Sequence, residues 1–92
     1  MKYGFTIPGS GPLSAPESMR ALVRRGEDLG FDTVVCPDHI VFPKDISSPY
    51  PYNPEAVPPG TIGGACLDQL TVLAFIAGQT TTLRLGTSVM IV

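Results

Sequence analysis

The run Phe31-Asp32-Thr33-Val34-Val35-Cys36 restricts the fold of this chain more than any other segment. Its β-branched centre shows no clean alternation of apolar and polar residues, which fits a strand buried on both faces and hence a parallel sheet. The segment before it is helical in period: Met19, Leu22, Val23, Gly26 and Leu29 form one stripe. Ser14-Ala15-Pro16-Glu17 has the spacing of a capping box, with Pro16 in the first turn. Gly30 suits a left-handed C-terminal cap, and Gly26 in the stripe permits a close approach to a sheet. Ahead of the helix, Tyr3, Phe5 and Ile7 alternate with Gly4 and Thr6 in a first strand, which Pro8-Gly9-Ser10-Gly11-Pro12 breaks. Strand, amphipathic helix and strand with tight connections make a βαβ unit, expected to cross over right-handed. Arg20, Arg24, Arg25, Glu27 and Asp28 are expected on the solvated face of the helix.

A second helix is expected from about Leu67 to Thr80. Leu67, Leu70, Leu73, Ala74 and Ala77 make its stripe, widened by Val72, Phe75 and Ile76, and Asp68 near its start complements the helix dipole. A third strand begins near Leu83, in the apolar run Leu83 to Val92. Between Ile40 and about Gly64, Pro43, Pro49, Pro51, Pro54, Pro58 and Pro59 forbid regular structure over most of the stretch. Phe42, Tyr50 and Tyr52 there either line an apolar pocket or tuck onto their own loop. The fold class is α/β: the N-terminal portion of a (β/α)8 TIM barrel, with three parallel strands and two main helices, incomplete, all in one domain over residues 1–92.

Several function classes lose support. The net charge is −2 with no basic block, so neither nucleic acid nor an acidic membrane surface is an expected partner. No apolar stretch approaches the roughly 20 residues of a membrane span. The start of the chain is too short for a signal-peptide core and runs into Pro8, so a cytoplasmic location is expected. Cys36 and Cys66 are expected as reduced thiols. His39 is the only histidine, there is no metal-spaced cluster, and no metal is expected.

In β/α barrels, reactive groups collect at the C-terminal ends of the strands. The candidates are therefore the Pro8–Gly11 loop, Asp38 with His39, and the end of strand three. A histidine in that place is a general acid or base near neutral pH, and Asp38 either orients it or accepts from a ligand. Side chains of neighbours in extended chain point to opposite sides, so direct pairing is not assured, and a structural role for both residues stays open. Gly86 lets a planar ligand or another backbone approach. Thr87 and Ser88 either meet a ligand or satisfy each other and the neighbouring backbone.

Five motifs in order carry a resemblance: Tyr3-Gly4-Phe5 with Ile7-Pro8; Glu27-Asp28-Leu29-Gly30-Phe31-Asp32; Asp38-His39-Ile40-Val41-Phe42-Pro43; Leu73-Ala74-Phe75; and Arg84-Leu85-Gly86-Thr87-Ser88-Val89. Together the chain resembles the N-terminal part of the bacterial luciferase-like monooxygenase superfamily, and within it the coenzyme F420-dependent oxidoreductases. The resemblance implies a flavin or deazaflavin at the strand C-termini and hydride transfer between F420 and a small organic substrate. By likeness, Asp38 contacts the cofactor ring and His39 handles the proton that accompanies hydride transfer. A non-prolyl cis peptide of the family maps to Ser88-Val89, which with Thr87 backs the ring. The alternatives are an FMN-dependent monooxygenase of the same superfamily, and a non-catalytic remnant that only assembles or binds a partner.

A barrel of this kind needs roughly 250 residues. The expectation is thus a segment of a longer enzyme, inactive alone, whose partners are a homo-oligomer or the remainder of the barrel.

Overall fold

The structure is a computed structural model and describes residues 1–38 and 66–92. Three short strands alternate with two helices: β1 (Gly4–Thr6), α1 (Pro16–Asp28), β2 (Thr33–Cys36), α2 (Gln69–Ala77) and β3 (Arg84–Thr87). All strand pairs are parallel and the spatial order is β1-β2-β3. Gly4 faces Thr33 in the first pair, and Thr33 faces Arg84 in the second. The core joins Ile7, Met19, Val23, Val34, Cys36, Val72, Ile76 and Leu83 in one cluster, so both helices cover the same face of the sheet. Sequential strand order with helices on one face is how a (β/α)8 barrel opens. A doubly wound sheet instead reverses its strand order and covers both faces.

Each element has a local cause. The first strand is narrower than its alternating run, but Asp32 N–H donates to Tyr3 O at 2.8 Å and Ile7 N–H to Val35 O at 2.9 Å, which extends the pairing at both ends. Of the three residues expected to share one face, Ile7 lies in the core and Phe5 packs against it, while Tyr3 stays exposed. The capping box does not form. The Ser14 hydroxyl donates to Gly11 O within the 3-10 turn Pro12–Ser14, and Ala15 occupies the N-cap without a side-chain bond. At the other end the glycine cap is present. Gly30 has φ 83°, its N–H donates to Glu27 O, and Phe31 N–H donates to Gly26 O, which is a Schellman closure. A Cβ at Gly26 would overlap the Phe5 ring, so the absent side chain sets how closely α1 lies on β1. Phe5 and Phe31 meet edge to face at 5.3 Å between ring centroids.

Three expectations about burial need correction. In β2 only Val34 and Cys36 are fully buried, and Thr33 and Val35 are half-buried, because the helices cover one face only. Leu29 is exposed although it continues the α1 stripe, since the chain turns away at the cap. In α2 the stripe chosen from the sequence is mostly the outer one. Gln69, Val72 and Ile76 are buried, whereas Leu70, Ala74 and Ala77 are exposed, as is Leu67, which lies before the helix.

The N-terminal ends of the strands are tied by α1. Oε1 of Glu27 accepts from the Thr81 and Thr82 backbone N–H groups, each at 2.8 Å, and from the Thr80 and Thr82 hydroxyls. These bonds, Thr80 hydroxyl first and then the two amides, hold the Glu27 carboxyl down to about 2. Arg20 Nε donates to Gln79 Oε1 at 3.0 Å, a second tie from α1 to the segment between α2 and β3. Glu27 and Arg20 are therefore structural ties and not idle members of a solvated face.

Candidate functional site

The C-terminal ends of the strands form the opposite pole. A cleft of about 370 Å³ opens there, lined by Asp38, Cys66, Leu67, Asp68, Gln69, Leu70, Met90 and Ile91. Its volume falls within the usual range of small-molecule sites. The lining mixes apolar side chains with three that carry oxygen acceptors: Asp38, Asp68 and Gln69.

Asp38 reaches the cleft because β2 ends at Cys36 and Pro37, which has no N–H to continue the ladder, carries the chain past the sheet. Its Oδ2 accepts from the Ile91 backbone N–H at 3.0 Å, which ties the loop after β2 to the segment after β3. A second tie lies beneath. The side-chain amide of Gln69, 2 % exposed, donates through Nε2 to Cys36 O at 2.7 Å and to Val89 O at 3.2 Å. Its Oε1 is buried without a hydrogen-bond partner among the described residues.

The remaining wall comes from the start of α2. Leu67 N–H donates to Gly9 O at 2.8 Å and Cys66 bridges antiparallel to Ser10, so the Pro8–Gly11 loop supports this segment and does not line the cleft. Oδ2 of Asp68 caps α2 by accepting from the Thr71 N–H at 2.8 Å and the Thr71 hydroxyl at 2.7 Å. The hydroxyl first and the amide second keep the Asp68 carboxyl below the usual carboxylate range. Both cysteines are free. Burial pushes the Cys36 thiol up, and the neighbouring Cys66, Asp38 and Asp68 add to the effect, so Cys36 is an inert core thiol.

Of the residues expected from the sequence, Asp38, Thr87, Ser88 and Val89 all come to this pole. Thr87 pairs with Cys36, and Ser88 N–H donates to Cys36 O at 3.0 Å. The Ser88–Val89 peptide is cis, at the position the resemblance implied, directly after β3 and not inside it. Thr87 and Ser88 are exposed, and the Val89 side chain is 72 % exposed beside the cleft wall. A side chain at Gly86 would press on Val35 at 3.2 Å, so the neighbouring strand already occupies the space that glycine opens. His39, with Phe42, Tyr50 and Tyr52, lies outside the described residues. Sequence reasoning missed Gln69, because a lone polar residue at a helix start looks solvated. Its one signal is that it precedes Val72 and Ile76 by three and seven positions.

Among the described residues no group of three or more His, Cys, Asp or Glu stands close enough to hold a metal ion. Nor is any helix among them long and apolar enough to cross a membrane. A family model described as luciferase-like monooxygenase matches residues 1–92. No curated protein and no solved structure matches the chain.

Proposed function

Because the chain belongs to the luciferase-like monooxygenase family, we propose that its C-terminal pole is the cofactor and substrate site of an F420-dependent oxidoreductase acting on a small alcohol, aldehyde or related carbonyl compound. The observation that carries this reading is the meeting of Asp38 with the segment after β3 at the rim of the cleft, through the Asp38 Oδ2 bond to Ile91 N–H.

The residues present fit a planar tricyclic ring. Leu67, Leu70, Met90 and Ile91 offer apolar walls, and Asp38 offers an acceptor toward a polar edge. In this reading Asp38, Thr87, Ser88 and Val89 hold the ring. A bound deazaflavin supplies a two-electron hydride acceptor and donor. The chain's own work is to orient and to exclude water, with the strand ends as the fixed frame. His39, next in the chain to Asp38, takes the proton that the substrate hydroxyl releases as hydride leaves its carbon, and returns it in the reverse direction.

The family description favours a second reading, an FMN-dependent monooxygenase at the same pole. Separate titrations with F420 and FMN, read by fluorescence quenching, discriminate the two. The proposal expects saturable binding of F420 in preference to FMN. Preference for FMN supports the second reading, and binding of neither by the chain joined to the remainder of a barrel overturns both. His39→Ala in that longer protein is expected to abolish turnover while leaving cofactor binding largely intact.

A further inference from the structure

We infer that Gln69 is a positioning residue of this site: its side-chain amide clasps the ends of β2 and β3 together and sets the Val89 carbonyl, and with it the Ser88–Ile91 edge of the cleft. Only the identity of the ligand rests on the proposed function; the clasp is a matter of geometry.

Both acceptors of the clasp are main-chain carbonyls, one at the end of β2 and one in the segment after β3. Cys36 O belongs to the last residue of β2, two positions before Asp38, and Val89 O lies two positions beyond β3. One nitrogen therefore spans the gap between the loop that presents Asp38 and the segment that faces it. The Val89 side chain is largely exposed, so packing of its own atoms does not hold this peptide in place. Ile91 is held from the other side by Asp38, at the rim and in reach of water. The Gln69 side chain is buried, its bond to Cys36 O fully and its bond to Val89 O in part, so both are less open to water than the rim bond, and a hydrogen bond shielded from water is electrostatically stronger. The deep clasp sets the position, and the rim bond depends on it. A leucine at 69 would fill a similar volume but leave Val89 O without its donor.

The test compares the unliganded chain with Gln69→Leu and Gln69→Glu by amide hydrogen exchange. Gln69→Leu is expected to lower the protection of the Ile91 amide about tenfold while core amides of Val23 and Val34 keep theirs. Gln69→Glu has no donor when ionised and one when protonated. Its Ile91 protection factor, divided by that of the wild type at the same pH so that any change at the Asp38 carboxylate cancels, is expected to recover as pH falls through the titration of the introduced carboxyl, while the same ratio for Gln69→Leu stays flat. This recovery separates positioning from packing and decides the matter even if the leucine variant fails to fold. F420 affinity is expected to fall about tenfold in Gln69→Leu, the loss of one interaction of this kind. Unchanged Ile91 protection in both variants overturns the inference, as does lost protection with unchanged affinity. If the chain joined to the remainder of a barrel binds neither F420 nor FMN, the proposed function falls while the Ile91 exchange still judges the clasp.

Discussion

Asp38 and Ile91 are 53 residues apart in sequence and are joined by one hydrogen bond, Oδ2 accepting from the Ile91 N–H at 3.0 Å. The bond closes the C-terminal pole on the side where β2 and β3 both run out. One oxygen of the carboxylate is used in this way, and the group lines the cleft. Asp38 thus has two tasks, which substitution can separate. Asp38→Asn keeps an acceptor for Ile91 but removes the charge, while Asp38→Ala removes both. Asp38→Ala is expected to lower the unfolding free energy by about 1 kcal/mol and Asp38→Asn by less, measured by urea denaturation. Equal losses in the two variants would show that the Ile91 bond is not what Asp38 contributes.

Gly26 tests the packing of α1 on β1. An alanine there gains about 1 kcal/mol of helix propensity but drives its methyl into the Phe5 ring, and overpacking typically costs about 1–3 kcal/mol. Net destabilisation of Gly26→Ala is expected. Adding Phe5→Leu is expected to recover part of it, so the two changes are not additive. A Gly26→Ala variant more stable than the wild type would place the Phe5 ring elsewhere.

The Glu27 tie makes a prediction in pH. Its folded carboxyl titrates at about 2, below the ordinary value of 4.5. The folded state therefore binds this proton less readily than the unfolded chain does. The stabilisation is complete above pH 4.5 and is lost as pH falls through that value toward 2. Thermal midpoints measured across this window are expected to fall for the wild type and to fall less steeply for Glu27→Gln. Parallel slopes would mean that the Thr80–Thr82 segment is held by something else.

Association is the fourth expectation. Leu70, Ala74 and Ala77 lie on an exposed side of α2, and Leu85, Met90 and Ile91 are exposed near the end of the sheet. Among the described residues the outer edge of β3 has no partner strand. Open edges and contiguous apolar surface promote pairing with another chain. Light scattering at micromolar concentration is expected to find species larger than one chain, and Leu70→Lys to reduce them. A monodisperse monomer would contradict this.

Much of the fold was legible because period and punctuation agreed. Gly30 marked the end of α1, Gly26 marked a close approach, and Asp38 stood where a parallel strand had to end. The losses have separate physical causes. Ser14 spends its hydroxyl on Gly11 in a 3-10 turn, a competing local bond that the capping-box spacing does not reveal. α2 is apolar nearly all round, so periodicity could not choose between its leucine–alanine side and its Val72–Ile76 side; tertiary packing chose the second. Glu27 looked like one more surface charge because its partners lie more than fifty residues on. Gln69 was invisible for a different reason: its two acceptors are backbone carbonyls, which leave no mark in a sequence.

The pole of the sheet that receives the cofactor decides between a site at the strand C-termini and one at the Glu27 end. Backbone amide shifts, followed by NMR as F420 is added, measure this directly. The expected result is that Asp38 and Thr87 through Ile91 move while Glu27 and Thr80 through Thr82 stay still. Shifts gathered around Glu27 and the Thr80–Thr82 segment, with Asp38 and Ile91 unmoved, would contradict it.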